Sequence, residues 1–172
     1  MKIILLQPSL RKNSLTSEIL QEFQNLLVGN EYFRSENYEI KTIDLREIEL
    51  EFCDGRDIKD YNRGLQDIFQ EIQKSDMLII WFPVYHYALS WVLKNFLDIV
   101  GDALKEKKLW VIVSALLSDC DMAYEHFFES FAKKYNITRI SEVPYILNSD
   151  FHNGKLGLIW KWKLQKFVKA IL

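Results

Sequence analysis

Cysteine is nearly absent from this 172-residue chain: there are two, Cys53 and Cys120, far apart and in no CxxC or Cys/His cluster. That excludes a disulfide framework, offers no zinc-ligand spacing, and fits a reducing, cytoplasmic setting. An excess of charge of one sign is also missing. The 22 basic and 24 acidic residues leave a net charge of −2, so no global field draws the protein to nucleic acid or to an anionic membrane. No apolar stretch approaches the roughly 20 residues of a membrane helix, the longest lying around Met77 to Val84. The apolar run from Met1 to Leu6 is too short for a signal-peptide core and passes into a loop, not a small-residue cleavage site, so it is expected to be a buried strand. There is no internal repeat, low-complexity segment or linker composition. What remains is one domain, residues 1–172, large enough to bury its own core and with a small molecule as its default partner.

Short apolar runs alternate with longer amphipathic stretches from end to end, the pattern of βα units forming a parallel sheet covered on both faces. Strands are expected near 2–6, 38–44, 76–82, 108–113 and 137–143. Helices are expected near 14–28, 61–74, 88–103, 120–135 and 157–171. In the first helix Leu15, Ile19, Leu20, Phe23, Leu26 and Leu27 recur at three- and four-residue steps and form one core-facing stripe. The strand Met77 to Phe82 is apolar at every position, as a central parallel strand must be. The last helix carries Lys161, Lys163, Lys166 and Lys169, with Lys155 just before it and no acid, beside Trp160, Leu164, Phe167, Val168 and Ile171. Such a helix can lie on a membrane or bind a partner, but its apolar stripe reads first as the last helix packing on the sheet.

Ligands of open parallel sheets bind beyond the carboxyl ends of the strands, where the chain order reverses. The loop after the first strand reads Gln7-Pro8-Ser9-Leu10-Arg11-Lys12-Asn13-Ser14 and opens a helix. It gathers two hydroxyls, a guanidinium and free N–H groups at one point, which favours an anion such as a phosphate. Helix capping by Ser9, Asn13 or Ser14, with Arg11 and Lys12 solvated, accounts for the same residue types. The stretch after the third strand, Pro83-Val84-Tyr85-His86-Tyr87-Ala88, sets two tyrosines and a histidine where they can wall a flat aromatic ligand, with backbone amides for its polar edge. His126 falls in a helical pattern and His152 in a polar turn; no metal-binding cluster includes either.

Taken together, these loops resemble the NADPH-dependent FMN reductase family of flavodoxin-like proteins. That family's first loop reads Gly-Ser-x-Arg-x-x-Ser, and its third strand ends in Pro-x-Tyr before a Leu-Lys-Asn-x-x-Asp helix. Ser9, Arg11, Ser14, Pro83, Tyr85, Leu93, Lys94, Asn95 and Asp98 stand at the matching positions. Ile43-Asp44-Leu45-Arg46 is similar to the family's Asp-Leu turn, and Ser75-Asp76 to its Ala-Asp lead into the third strand. The resemblance implies a three-layer α/β/α, doubly wound flavodoxin-like fold with five parallel strands in the order 2-1-3-4-5. It implies that Ser9, Arg11 and Ser14, with the Leu15 amide, hold the FMN phosphate, while Pro83, Val84, Tyr85, His86 and Ser114 border the ribityl chain and ring. It further implies an NADPH-dependent oxidoreductase that passes electrons to a small acceptor such as free flavin or a quinone. The absence of a Ser/His/Asp triad and of a carboxylate pair agrees, because the flavin carries that chemistry. The family commonly forms homodimers near the third helix, where Trp91 and Tyr87 are surplus to the core.

Three residues and one loop depart from the family pattern. Pro8 replaces a glycine and removes a backbone donor. His86 and Val84 stand where asparagine and glutamate are usual. The loop Ser114-Ala115-Leu116-Leu117-Ser118-Asp119 lacks the family's glycine-rich turn. Two rival readings therefore stay open: a quinone reductase of a related flavodoxin-like family, which shares the Phe82-Pro83 pattern, and a flavin-free module or electron carrier.

Overall fold

The computed structural model describes residues 1–12, 14–31, 33, 38–86, 88–115, 127–139, 145–152 and 155–171. Asn13, Tyr87, Cys120, His126, Asn153 and Gly154, the loop at 116–119 and the start of the helix expected near 120–135 lie outside the described residues.

Strand β1 (Lys2–Gln7) leads through the first loop to α1 (Leu15–Gly29), and β2 (Glu39–Asp44) follows. Helix α2 (Arg63–Gln73) then precedes β3 (Met77–Tyr85), a two-residue strand β4 (Ala88–Leu89) and α3 (Trp91–Val100). Strand β5 (Lys108–Ala115) comes next, then a π-helical turn (Phe128–Ala132) running into α4 (Lys133–Tyr135). The chain ends with β6 (Thr138–Arg139), β7 (Tyr145–Leu147), a small hairpin of β8 (Phe151–His152) and β9 (Lys155–Leu156), and α5 (Leu158–Ile171). The main sheet runs β2-β1-β3-β5-β6, every neighbour parallel, with β7 also on β5.

Strands β6 and β7 lie along one edge of β5, at Lys108–Leu109 and Val113–Ala115 respectively. Together they occupy the place of the single strand that the sequence predicts near 137–143, of which residues 140–143 lie outside the described residues. Counted so, the order is 2-1-3-4-5, the flavodoxin-like arrangement. Two other expectations change. The third strand runs on through Tyr85 and folds back as a hairpin, Val84 opposite Leu89 and Tyr85 opposite Ala88. The helix predicted over 88–103 is therefore shorter, starting at Trp91 and tightening into a 3-10 turn at Gly101–Leu104.

Alternation along the strands divides the core. Ile4, Leu6, Leu78, Ile80, Phe82, Leu109, Val111 and Val113 face the layer of α2 and α3. Ile3, Leu5, Met77, Ile79, Trp81, Trp110 and Ile112 face α1 and α5. A sheet covered on both faces needs strands apolar at successive positions, and β1, β3 and β5 supply them. Ile19, Leu20, Phe23 and Leu27 of α1 and Trp160, Leu164 and Val168 of α5 complete the second layer. Asn62 caps α2 by accepting from the Leu65 N–H at 3.0 Å, and Ser90 caps α3 by accepting from the Leu93 N–H at 3.3 Å.

The amino edge of the sheet is clasped by charge. Lys2 on β1 and Lys41 on β2 both reach Glu71 of α2, at 2.9 and 3.0 Å, and Lys2 also meets Glu39 at 3.1 Å. Hydrogen bonds from Lys2, then Lys41, pull the Glu71 carboxyl down to about 2 against a partial burial that opposes them. A carboxyl held below its unfolded value stabilises the fold fully above that value and progressively less as pH falls toward the folded one. Glu71→Gln is expected to lower the melting temperature by about 2 to 4 °C near neutrality. The difference from wild type should shrink between about pH 5 and about pH 2; a pH-independent difference in thermal melts would count against this clasp.

Candidate cofactor site

The loops after β1, β2 and β3 meet at the carboxyl edge, and side chains fix the shape of the first. Gln7, the last residue of β1, is buried and polar. Its amide nitrogen donates to the Ser9 carbonyl at 3.0 Å and to the Ser17 hydroxyl of α1 at 2.8 Å, while its amide oxygen accepts from the Ser9 N–H. This clasp closes the Pro8 turn. It also occupies the Ser9 N–H, so with Pro8 the loop has two fewer backbone donors for a ligand than a glycine turn would offer.

The far side of the loop is held from β2. Asp44 accepts from the Arg46 backbone N–H at 2.9 Å and from its guanidinium, whose Nη2 is in close contact with the carboxylate. Burial pushes the Asp44 carboxyl up, but the Arg46 bonds prevail and hold it below its ordinary value. So oriented, Arg46 Nη1 donates to the carbonyls of Arg11 and Lys12 at 3.2 and 3.3 Å. The loop carbonyls are thereby engaged on the side facing β2.

What the loop leaves unspent is a donor set. Ser9 and Ser14 are each 4% exposed, and neither hydroxyl has a hydrogen-bond partner among the described residues. Ser14 stands at the N-cap of α1 in extended conformation, yet its side chain makes no capping bond. The capping alternative for this residue therefore does not describe the fold. The Leu15 and Thr16 N–H groups of the first helical turn are likewise without partners among the described residues. Arg11 is exposed, makes no ion pair among the described residues, and lies with its guanidinium 5.6 Å from the centre of the Tyr85 ring. That cation–π approach joins the first and third loops.

The third loop is more ordered than its sequence suggests. Pro83 pairs with Ser114 of β5 but lies past the end of the β1 pairing, at a free edge where a missing N–H is tolerated. Val84 is half-buried, and Tyr85 and His86 are exposed. His86 takes the first central position of the hairpin with φ of 49°, a left-handed geometry that asparagine and histidine adopt more readily than most residues. The expected open backbone amides are thus partly committed to the hairpin. The Ser114 hydroxyl donates to the Phe82 carbonyl at 3.4 Å and ties β5 to β3.

The resemblance's remaining motif residues have structural work. Leu93 is in the core, Lys94 pairs with Asp98 at 2.6 Å, and Asn95 clamps the long loop before α2. Its amide oxygen accepts from the Cys53 N–H and its nitrogen donates to the Glu51 carbonyl, both at 2.8 Å. The sequence reading missed Gln7 and the reach of Arg46. A lone polar residue at the end of an otherwise apolar strand, just before a proline, was the available signal for Gln7.

No group of three His, Cys, Asp or Glu residues among those described is arranged to hold a metal. The donor chemistry of the first loop, two hydroxyls, two N–H groups and one unpaired guanidinium, fits a phosphate monoester.

Comparisons place the chain among known proteins. A curated relative, an NAD(P)H-dependent FAD/FMN reductase of Geobacillus thermodenitrificans, is 29% identical over 77 residues; the match covers 44% of this chain and 42% of that relative's length. An oxidoreductase from Corynebacterium diphtheriae superposes with a TM-score of 0.79 at 16% identity, over 99% of this chain and 93% of the other. The NAD(P)H:(acceptor) oxidoreductase FerB of Paracoccus denitrificans gives 0.76 at 18% identity, over 98% and 93%. At these identities the structures establish the shared fold. Residues 1–151 match the NADPH-dependent FMN reductase family as a whole, and with that span and this site at its carboxyl edge, the chain belongs to that family.

Proposed function

We propose that the protein is an FMN-dependent NAD(P)H oxidoreductase that takes reducing equivalents from NADPH or NADH and delivers them to a small acceptor such as free flavin or a quinone. The observation that carries this reading is the cluster of unspent donors at the start of α1: the Ser9 and Ser14 hydroxyls, the Leu15 and Thr16 N–H groups, and Arg11. The helix dipole adds its positive end there. In this reading Ser9, Ser14 and Leu15 hold the FMN phosphate and Arg11 compensates its charge, while Pro83, Val84, Tyr85 and His86 flank the ribityl chain and ring beside Ser114. The flavin, when bound, supplies the hydride and electron chemistry. The chain's own task is to bind, orient and shield. Gln7 and Arg46 hold the loop in shape, and Arg11 holds Tyr85 against it. Family membership and the activity named for the Geobacillus relative support the assignment.

Titration of the purified protein with FMN and with riboflavin, followed by flavin fluorescence, tests the reading. Tight binding that requires the phosphate is expected. Failure to bind either would favour the flavin-free module, for which Pro8 and the missing glycines of the loop after β5 are the specific grounds.

The reading includes a cytoplasmic homodimer formed through the α3 side. Phe52 and Trp91 are 73% and 61% exposed and stack on one another with ring centres 5.9 Å apart. An aromatic platform of this kind suits a buried interface core. Trp91→Glu is expected to convert a dimer to a monomer in sedimentation velocity, and an unchanged mass would remove this face from consideration.

A further inference from the structure

The carboxyl-terminal helix has a second apolar face that the core does not use. Trp160, Leu164 and Val168 are buried against the sheet, as the sequence pattern predicts. Leu158, Ile159 and Trp162, on the opposite side of the first turn, are 82%, 71% and 54% exposed. The same outward face continues through Lys166 and Lys169, and the half-buried Lys163 flanks it. Lys166 Nζ sits 3.8 Å from the centre of the Trp162 ring, and Lys163 Nζ 4.3 Å from that of Trp160. None of these three lysines has an ion pair among the described residues. Isolated apolar side chains on a surface are ordinary, but three large ones together, rimmed by like charge, mark a contact surface.

Charge decides what kind of partner this face meets. Residues 151–172 contain five lysines and no acid, whereas residues 44–76 contain ten acids against five bases. The second group includes α2, which packs on the other face of the sheet. The basic charge is thus concentrated on α5 itself, since its neighbour α1 on the same face carries Glu18 and Glu22 and no base. A two-fold contact between copies through α5 would set lysine against lysine, because an isologous interface meets itself. A tryptophan between aliphatic residues and lysines is instead the composition of a helix lying in a lipid headgroup region.

We propose that the outward face of α5 docks this protein on the anionic surface of a lipid bilayer, Leu158, Ile159 and Trp162 entering the headgroup region and Lys163, Lys166 and Lys169 lying over its phosphates. The contact is peripheral: no described helix is long and apolar enough to cross a membrane. It lies on the face opposite the Phe52–Trp91 platform and does not depend on flavin binding.

The test is co-sedimentation of the full chain with vesicles of phosphatidylcholine alone and of phosphatidylcholine with about one-third phosphatidylserine. Retention on the serine-containing vesicles, reversed by salt, is expected. The double substitution Leu158→Ser and Trp162→Ser should lower retention at least about ten-fold, as should Lys166→Gln with Lys169→Gln. Because these side chains are exposed, melting temperature and FMN titration should stay as in wild type. Equal retention on both vesicle types, or none on either, would overturn the proposal. So would light scattering that finds copies of the chain assembled through α5 and separated by the double substitution.

Discussion

Replacing Arg11 with alanine is expected to weaken FMN binding by about 10- to 150-fold, the effect of losing a charge-assisted bond worth about 1.5 to 3 kcal/mol, while riboflavin binds as before. The Arg11 side chain is exposed and among the described residues engages only the face of Tyr85, so its loss removes no core contact and the fold should be unaffected. Arg46 cannot take over, because its guanidinium is committed to Asp44 and to two loop carbonyls. Fluorescence titration of both flavins against wild type and variant checks this. Unchanged FMN affinity would mean that the phosphate sits elsewhere, or that the hydroxyls and first-turn N–H groups hold it unaided. Arg11→Lys should recover only part of the loss, since an ammonium restores charge but not the planar fork.

Gln7→Leu is expected to act on both stability and binding. The substitution leaves the buried Ser9 N–H without its acceptor, and the Ser9 carbonyl and Ser17 hydroxyl without their donor. Unsatisfied buried groups cost about 1 to 3 kcal/mol each, and partial relaxation of a surface loop suggests a net loss on the order of 2 kcal/mol. For a chain of this size that is a fall in melting temperature of about 4 to 8 °C. Gln7 is a positioning residue, so the discriminating readout is the ratio of FMN to riboflavin affinity, which should fall about ten-fold as the Ser9 hydroxyl loses its aim. A lower melting temperature with an unchanged ratio would assign Gln7 a structural role alone. Gln7→Glu separates the two effects: its carboxylate still accepts from the Ser9 N–H, but it adds a negative charge beside the expected phosphate.

The fold was legible because its signal is redundant. Alternating β1, β3 and β5 runs, apolar at nearly every position, leave few arrangements other than a doubly covered parallel sheet. The α1 and α5 stripes confirm which helix faces turn inward. Less legible were features set by pairing at a distance. The hairpin at Val84–Leu89 follows from a turn at His86, whose left-handed backbone no local pattern announces. In the candidate site, residue types pointed to two loops that the fold brings together, but capping and anion binding call for the same side chains. At Ser14 the side chain makes no capping bond, which removes the first account for that residue. Asn95 shows the opposite problem: a residue at a recognisable motif position is occupied with the Glu51–Cys53 backbone.

The clasp around Pro8 also has a mutational consequence. Proline at this position forfeits a donor and fixes one dihedral, and Gln7 supplies bonds from its side chain that hold the turn. The two residues therefore form an epistatic pair. Restoring glycine at position 8 on its own returns an N–H but also frees the backbone, while the Ser9 N–H stays engaged by Gln7. Changing Gln7 alone strands the groups it serves. A change at either position alone is therefore expected to disturb the turn more than the two changes made together.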